Sequence, residues 1–296
     1  MRKNKEKIMR VNELLKRTGV CLAAGLLIIA GSSKAFAEDS DAALAAALDA
    51  RNDDLKARDG ARNPEETLKL FGVEPGMTVL EVLPGGGWYT KILAPLVGSE
   101  GAIYGVNYAD DMWAMFGLFS DEAIAGRVAS TAAFAGNVAG YPGAADVPAR
   151  AFTFGAVPDE LKGTVDVVVM VRALHNLNRF EARAAMRSQA IDDLYTLVKT
   201  GGVVGVVQHR APADADDSWA DGSSGYLKEA AVIAMFQQAG FELAGSSEVN
   251  ANPNDKPETG DIVWRLPPSL RTSPDQKEAM SAIGESDRMT LKFVKK

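Results

Sequence analysis

MTVLEVLPGGGWYTKILAPLVG, residues 77–98, holds a short apolar run, a turn of three consecutive glycines and a second apolar segment closed by Gly98. The run 77–83 has the length and composition of a buried strand, and 88–98 is of a length for a helix that Pro95 shortens or kinks. Glycine loses more freedom on folding than any other residue, so three in a row imply that something approaches the backbone there. A strand, a glycine turn and a helix together make the first unit of a parallel sheet.

Outward from this unit the alternation continues. Strands are predicted over 101–108, 151–155, 164–171 and 201–209, helices over 178–199 and 226–240, and two last strands over 241–249 and 289–296. Upstream, 40–58 reads as an alanine-rich helix, and 61–72 as a second one with Asn63 as N-cap, Pro64 at the first helical position and Gly72 at the stop. The stretch 114–149 is rich in glycine and alanine and carries no clear period until its end. Strands alternating with helices give an α/β, Rossmann-like doubly wound sheet. Residues 251–286, with Pro253, Pro257, Pro267 and Pro268, are too long for an ordinary connection. They form either a loose surface insertion or a lid over one end of the sheet.

Residues 1–37 run from a basic start through the apolar VCLAAGLLIIAG to SSKAFA, the order of a secretory signal peptide cleaved after Ala37. The apolar part is shorter than the roughly 20 residues that span a bilayer. The expectation is an exported, periplasmic protein without a membrane anchor after cleavage. Cys21 leaves with the signal, so disulfides, zinc–thiolate sites and cysteine nucleophiles are excluded together. The signal holds 8 of the 32 basic and 2 of the 39 acidic residues, leaving 24 against 37, a net charge of −13. Such a surface repels nucleic-acid phosphates and points to a small-molecule partner.

In an open parallel sheet, ligands bind beyond the carboxyl ends of the strands, where glycine N–H groups face the crevice. A triphosphate loop requires Gly-Lys-Ser/Thr, and here Trp88 and Tyr89 follow the last glycine. A dinucleotide site requires a third small residue where Thr90 stands. Glu81 followed by Gly85, Gly86 and Gly87 resembles the first motif of class I S-adenosylmethionine-dependent methyltransferases. PGGGWYT in the turn, and an ending of the form NP(x)D…DRMTLKF, are similar to a group of exported predicted methyltransferases within that family.

The resemblance covers 63–296, after a helical segment 38–62. It implies S-adenosyl-L-methionine as cofactor and a mostly parallel sheet with an antiparallel last strand. It further implies Glu81 near the amino acid end of the cofactor, with the methionine part lying on Gly85–Gly87. Two positions depart from the pattern: Leu83 replaces the first glycine, and Asn107 stands where many members grip the ribose with a carboxylate. Asp110 and Asp111 are the carboxylates nearest to it in sequence. The other reading of the turn is purely structural, closing strand onto helix.

For chemistry, the strand reading places both histidines, His175 and His209, at the same end of the sheet, where imidazole can move a proton near neutral pH. The alternative is that each caps a strand end. Arg172 and Arg210 stand beside them, to bind a carboxylate of cofactor or substrate or to pair with surface acids. Met112, Trp113, Met115 and Phe116 either line an apolar pocket or fill the core. GSSG at 222–225 lacks the spacing of a serine nucleophile elbow. Two functions follow: a methyltransferase acting on a small molecule, or an exported ligand-binding protein that kept the fold without the reaction.

Overall fold

In a computed structural model of the chain, residues 38–296 are described, and the expected signal peptide lies outside them. The chain divides into two units between Ala45 and Ala46. Of the first, residues 38–45 are described and helical. The second holds everything below.

Seven strands form one sheet: β1 Thr78–Val82, β2 Ala102–Asn107, β3 Ala149–Thr153, β4 Val165–Val171, β5 Val198–His209, β6 Phe241–Ser247 and β7 Arg288–Lys295. Their order is β3-β2-β1-β4-β5-β7-β6. All neighbours pair in parallel except β7, which runs antiparallel to β5 and β6. This is the expected fold class, a doubly wound sheet that is mostly parallel with an antiparallel last strand. Val167 to Met170 are each at most 2% exposed, so both faces of β4 are covered and a continuous β-branched run is what the position demands. Leu80, Val82, Val106, Val168, Val206 and Phe293 belong to one core cluster.

Helix α1, Pro64–Phe71, has Pro64 in its first turn and ends at Gly72 with φ 77°. Asn63 holds the N-cap position, but its side chain does not cap; its Nδ2 donates to Val249 O at 2.7 Å. Helix α2, Thr90–Val97, carries Pro95 and stops at Gly98. The helix expected over 40–58 breaks within residues 50–52, where Asn52 caps a separate short helix, Asp53–Lys56. The stretch 114–149, without a clear period in sequence, contains the longest helix among the described residues, α3, Asp121–Ala139, started by Ser120 Oγ accepting from the Ala123 N–H. Its alanines favour helix while its face alternation is weak, so composition held the signal that periodicity lacked. The helix expected over 178–199 is three pieces, of which α4, Leu174–Arg179, and α5, Met186–Leu197, flank Glu181–Ala184. Helix α6, Glu229–Gln238, precedes β6, and α7, Lys277–Ile283, lies in the long segment before β7.

That segment is ordered by its own motif. Asn252 Nδ2 donates to the carbonyls of Ile283 and Glu285 at 2.8 and 2.6 Å, and its N–H donates to Asp287 Oδ1 at 2.8 Å. Asp255 accepts from the Asp287 N–H at 3.0 Å and from Arg265 at 3.0 Å. The two ends of the segment are thereby clasped together at the start of β7, and Val263 joins Trp219 and Tyr226 in a small second core.

Candidate active site

Register brings the ends of β1, β2, β4 and β5 side by side: Val82 lies opposite Val106 and Met170, and Val171 opposite Val207. The strand order reverses between β2 and β4 around β1, which is where doubly wound sheets open a crevice. Two adjoining chambers occupy it, of about 780 and 550 Å³. Leu83, Gly85, Asn176 and Trp264 line both.

The turn between β1 and α2 alternates its backbone sign, with φ 55° at Leu83, 56° at Gly85 and 76° at Gly87. Leu83 therefore takes the left-handed form in the place where the motif has glycine, at roughly 1–2 kcal/mol of local strain. Gly87 is accounted for by the protein itself. Its N–H donates to Pro84 O at 2.9 Å, and a Cβ there would lie 2.6 Å from the Tyr141 hydroxyl. Only Gly86 would point a side chain into open space, on the wall of the smaller chamber. The bare backbone thus answers to turn geometry at Gly85 and Gly87 and to the chamber at Gly86.

Glu81 is 5% exposed and lines neither chamber; it borders a cavity of about 70 Å³ together with Arg62, Tyr89 and Arg172. Its Oε2 accepts from Thr90 Oγ1 at 2.6 Å, and burial pushes its carboxyl up to about 7 against that hydrogen bond. Asn107 lines the larger chamber, with Nδ2 donating to Thr131 Oγ1 at 2.8 Å. Asp110 and Asp111 are exposed and line neither chamber. Of the aromatic and methionine cluster, Met112 is fully buried, while Trp113 and Phe116 stack at 6.0 Å and wall the larger chamber. Among the described residues no carboxylate lines that chamber, whereas Arg127, Arg179 and Arg271 do.

The two histidines meet. Their ring centroids are 5.4 Å apart on the smaller chamber, and Trp264 from the long segment lies 5.9 Å from His175. Gln208, which is fully buried, sets the state of His175. Its Nε2 donates to the carbonyls of His209 and Gly225 at 3.3 and 2.9 Å, so its Oε1 must face the His175 N–H and Nδ1. Nδ1 at 3.2 Å from an acceptor carries the proton, which leaves the Nε2 lone pair of His175 free. Burial, aided by Arg172 and Arg179 and opposed by Gln208, lowers His175 to about 4. Burial, then His175 and Arg172, hold His209 well below the usual imidazole value; its Nδ1 lies 2.5 Å from Ser286 Oγ. Gly222 is required here, since a Cβ would lie 2.1 Å from His175 O.

The two arginines part company. Arg210 bonds Glu229, Glu248 and Asp287 at 3.0, 2.6 and 2.9 Å, is held far above its usual value by Glu248 and then Asp287, and lines neither chamber. Arg172 lines the smaller chamber with a left-handed φ of 56°, and its buried Nε has no hydrogen-bond partner among the described residues.

No protein-family model matches the chain, and no curated protein matches it. Solved structures similar to it include a SAM-dependent methyltransferase from Aquifex aeolicus, at 20% identity over 66% of this chain and 87% of that one, with a TM-score of 0.46. An arsenic(III) S-adenosylmethionine methyltransferase from Chlamydomonas reinhardtii is 15% identical over 86% and 73% of the chains, with a TM-score of 0.46. The 1,6-didemethyltoxoflavin-N1-methyltransferase of Burkholderia thailandensis, with S-adenosylhomocysteine bound, is 10% identical over 82% and 81%, with a TM-score of 0.44. At such values the likeness is one of fold, and the site stands on its own residues.

Several residues of the site escaped sequence reasoning. Gln208 had a signal, a buried-strand position held by a polar amide next to His209. Arg58, Arg62, Trp264, Glu285 and Ser286 had none, because they reach the crevice from segments remote in the chain.

Proposed function

We propose that this protein is an exported S-adenosylmethionine-dependent methyltransferase acting on a small molecule, with residues 1–37 removed as a signal peptide. The observation that carries the reading is the larger chamber. It lies at the ends of β1 and β2 against the glycine turn, is walled by Trp113 and Phe116, and adjoins the chamber that holds His175. A volume between about 300 and 1,000 Å³, with an aromatic wall and polar groups placed around it, suits a small ligand.

The residues present fit the cofactor at three points. The Gly86 backbone is open, the aromatic wall suits a flat purine, and Asn107 offers its amide oxygen to a diol. When bound, the cofactor would supply an electrophilic methyl group. The chain would contribute desolvation by Trp264 and the segment around it, alignment, and a proton acceptor. His175 Nε2 is unprotonated at neutral pH, and Gln208 holds its ring in that tautomer.

A second reading, an exported binding protein that no longer transfers a methyl group, is favoured by one observation. No carboxylate among the described residues lines the larger chamber, and the Asn107 Nδ2 is already engaged with Thr131. Thermal unfolding of the purified protein tests both. S-adenosylmethionine or S-adenosylhomocysteine at about 100 times its dissociation constant stabilises by roughly 2.7 kcal/mol, a rise of about 5–10 °C for a chain of this size. NAD, ATP and free methionine are the controls. A flat response to both cofactor forms sinks the methyltransferase reading; binding without turnover on any acceptor supports the second. N-terminal sequencing of the native protein, expected to begin at Glu38, checks the export claim.

A further inference from the structure

The smaller chamber is lined by Arg58, Arg62 and Arg172, and among the described residues the sole carboxylate on its wall is Glu285. Glu285 is already shared. Arg58 Nε donates to it at 2.9 Å, Arg288 lies 3.2 Å from its second oxygen, and Arg62 approaches no nearer than 3.8 Å. Arg288, 3% exposed, also donates to Ala61 O. Three guanidinium groups therefore reach one carboxylate, and Arg172 feels its charge as well. The Nε atoms of Arg62, Arg172 and Arg288 are buried without a hydrogen-bond partner among the described residues. Arg62 is 4% exposed, with its guanidinium 4.4 Å above the Trp88 ring. Burial, then repulsion from Arg172 and Arg58, pulls it down to about 9, which still leaves it charged at neutral pH.

Uncompensated buried charge is destabilising, and a fold keeps it where a ligand completes the balance. Guanidinium forks match the oxygens of carboxylates and phosphates. We propose that the smaller chamber binds the carboxylate or phosphate group of an acidic acceptor, which Arg62 and Arg172 hold beside His175. This rests on the proposed methyltransferase reading for the word acceptor, though not for the anion. The one carboxylate of S-adenosylmethionine, on a molecule that is a cation overall, would still leave Arg58, Arg62, Arg172 and Arg288 in excess over the negative charge around Glu285. The acceptor is thus an organic acid or phosphate ester. Anion binding also opposes the Arg172 charge that lowers His175, and so raises the basicity of the proton acceptor when substrate is present.

The test uses the purified protein with citrate and inorganic phosphate as probes, against chloride at matched ionic strength. Thermal unfolding and titration calorimetry follow the wild type, Arg172→Gln and Arg62→Gln. The expected results are a rise in melting temperature with citrate or phosphate, and anion affinity at least about tenfold weaker in each variant. Without anion, the variants should melt at or above the wild-type temperature, because a repulsive charge is gone. S-adenosylhomocysteine binding should survive both substitutions. No anion-specific rise in the wild type, or undiminished anion affinity in a folded variant, overturns the proposal. Loss of S-adenosylhomocysteine binding in step with the anion also overturns it, because the site then belongs to the carboxylate of the cofactor. Anion binding by a wild type that ignores S-adenosylmethionine and S-adenosylhomocysteine leaves the anion site standing and removes the methyltransferase reading.

Discussion

Replacing Glu81 with glutamine should stabilise the protein above neutral pH and not below pH 4.5. Glu81 is 5% exposed on β1, and burial raises its carboxyl from 4.5 to about 7. Between those values the folded state binds a proton that the unfolded state does not. The stability it contributes is therefore complete below pH 4.5, falls by about 1.4 kcal/mol per pH unit as pH rises, and is gone above about 7. The whole effect is on the order of 3 kcal/mol, the work of keeping an ionised carboxylate away from water. Glutamine has no charge to bury and can still accept from Thr90 Oγ1, whose bond to Glu81 is 2.6 Å. Allowing about 1 kcal/mol for exchanging a charged acceptor for a neutral one, the variant should exceed the wild type by roughly 2 kcal/mol at pH 8, or about 4–8 °C. At pH 4.5 the advantage should vanish or reverse.

The assay is thermal unfolding by circular dichroism from pH 4.5 to 8.5, taken as the difference between variant and wild type. Other groups, such as His175, whose depressed value makes stability fall as pH drops from 6.5 toward 4, cancel in that difference. A difference that stays flat with pH would refute the reasoning and show that Glu81 is solvated or paired in solution.

His175→Ala and His209→Ala should each lower methyl transfer by more than about tenfold with cofactor affinity nearly unchanged, since a general base typically contributes 10²–10⁴-fold; equal loss of binding would make them ligands instead. Gln208→Leu should destabilise by roughly 2–4 kcal/mol in urea unfolding, because two carbonyls and the His175 Nδ1–H lose their partner. Gly87→Ala should destabilise through its φ of 76° and the Tyr141 contact, whereas Gly86→Ala should fold normally and weaken binding of a ligand that lies on the turn. Calorimetry with paired melting curves separates the two, and equal melting losses would contradict the different roles assigned to these glycines.

Local pattern alone was enough for much of the architecture. Apolar runs such as 164–171 declare buried strands, Pro64 and Gly72 punctuate α1, and the turn after β1 marks the crevice end of the sheet, because each signal is carried by a few adjacent residues. The same logic brought His175 and His209 to one end, since parallel strands align their carboxyl ends. It failed where alanine and glycine blur the helical period, as in α3, and where partners are distant. Nothing near Arg58 in sequence announces Glu285, 227 residues away. Arg172 and Arg210 look alike beside their histidines, yet packing hands Arg210 three carboxylates and leaves the Arg172 Nε without a partner among the described residues. The charge balance of the chamber, and so the chemistry of its ligand, arises from long-range packing: burial and pairing are properties of the neighbours a side chain acquires on folding.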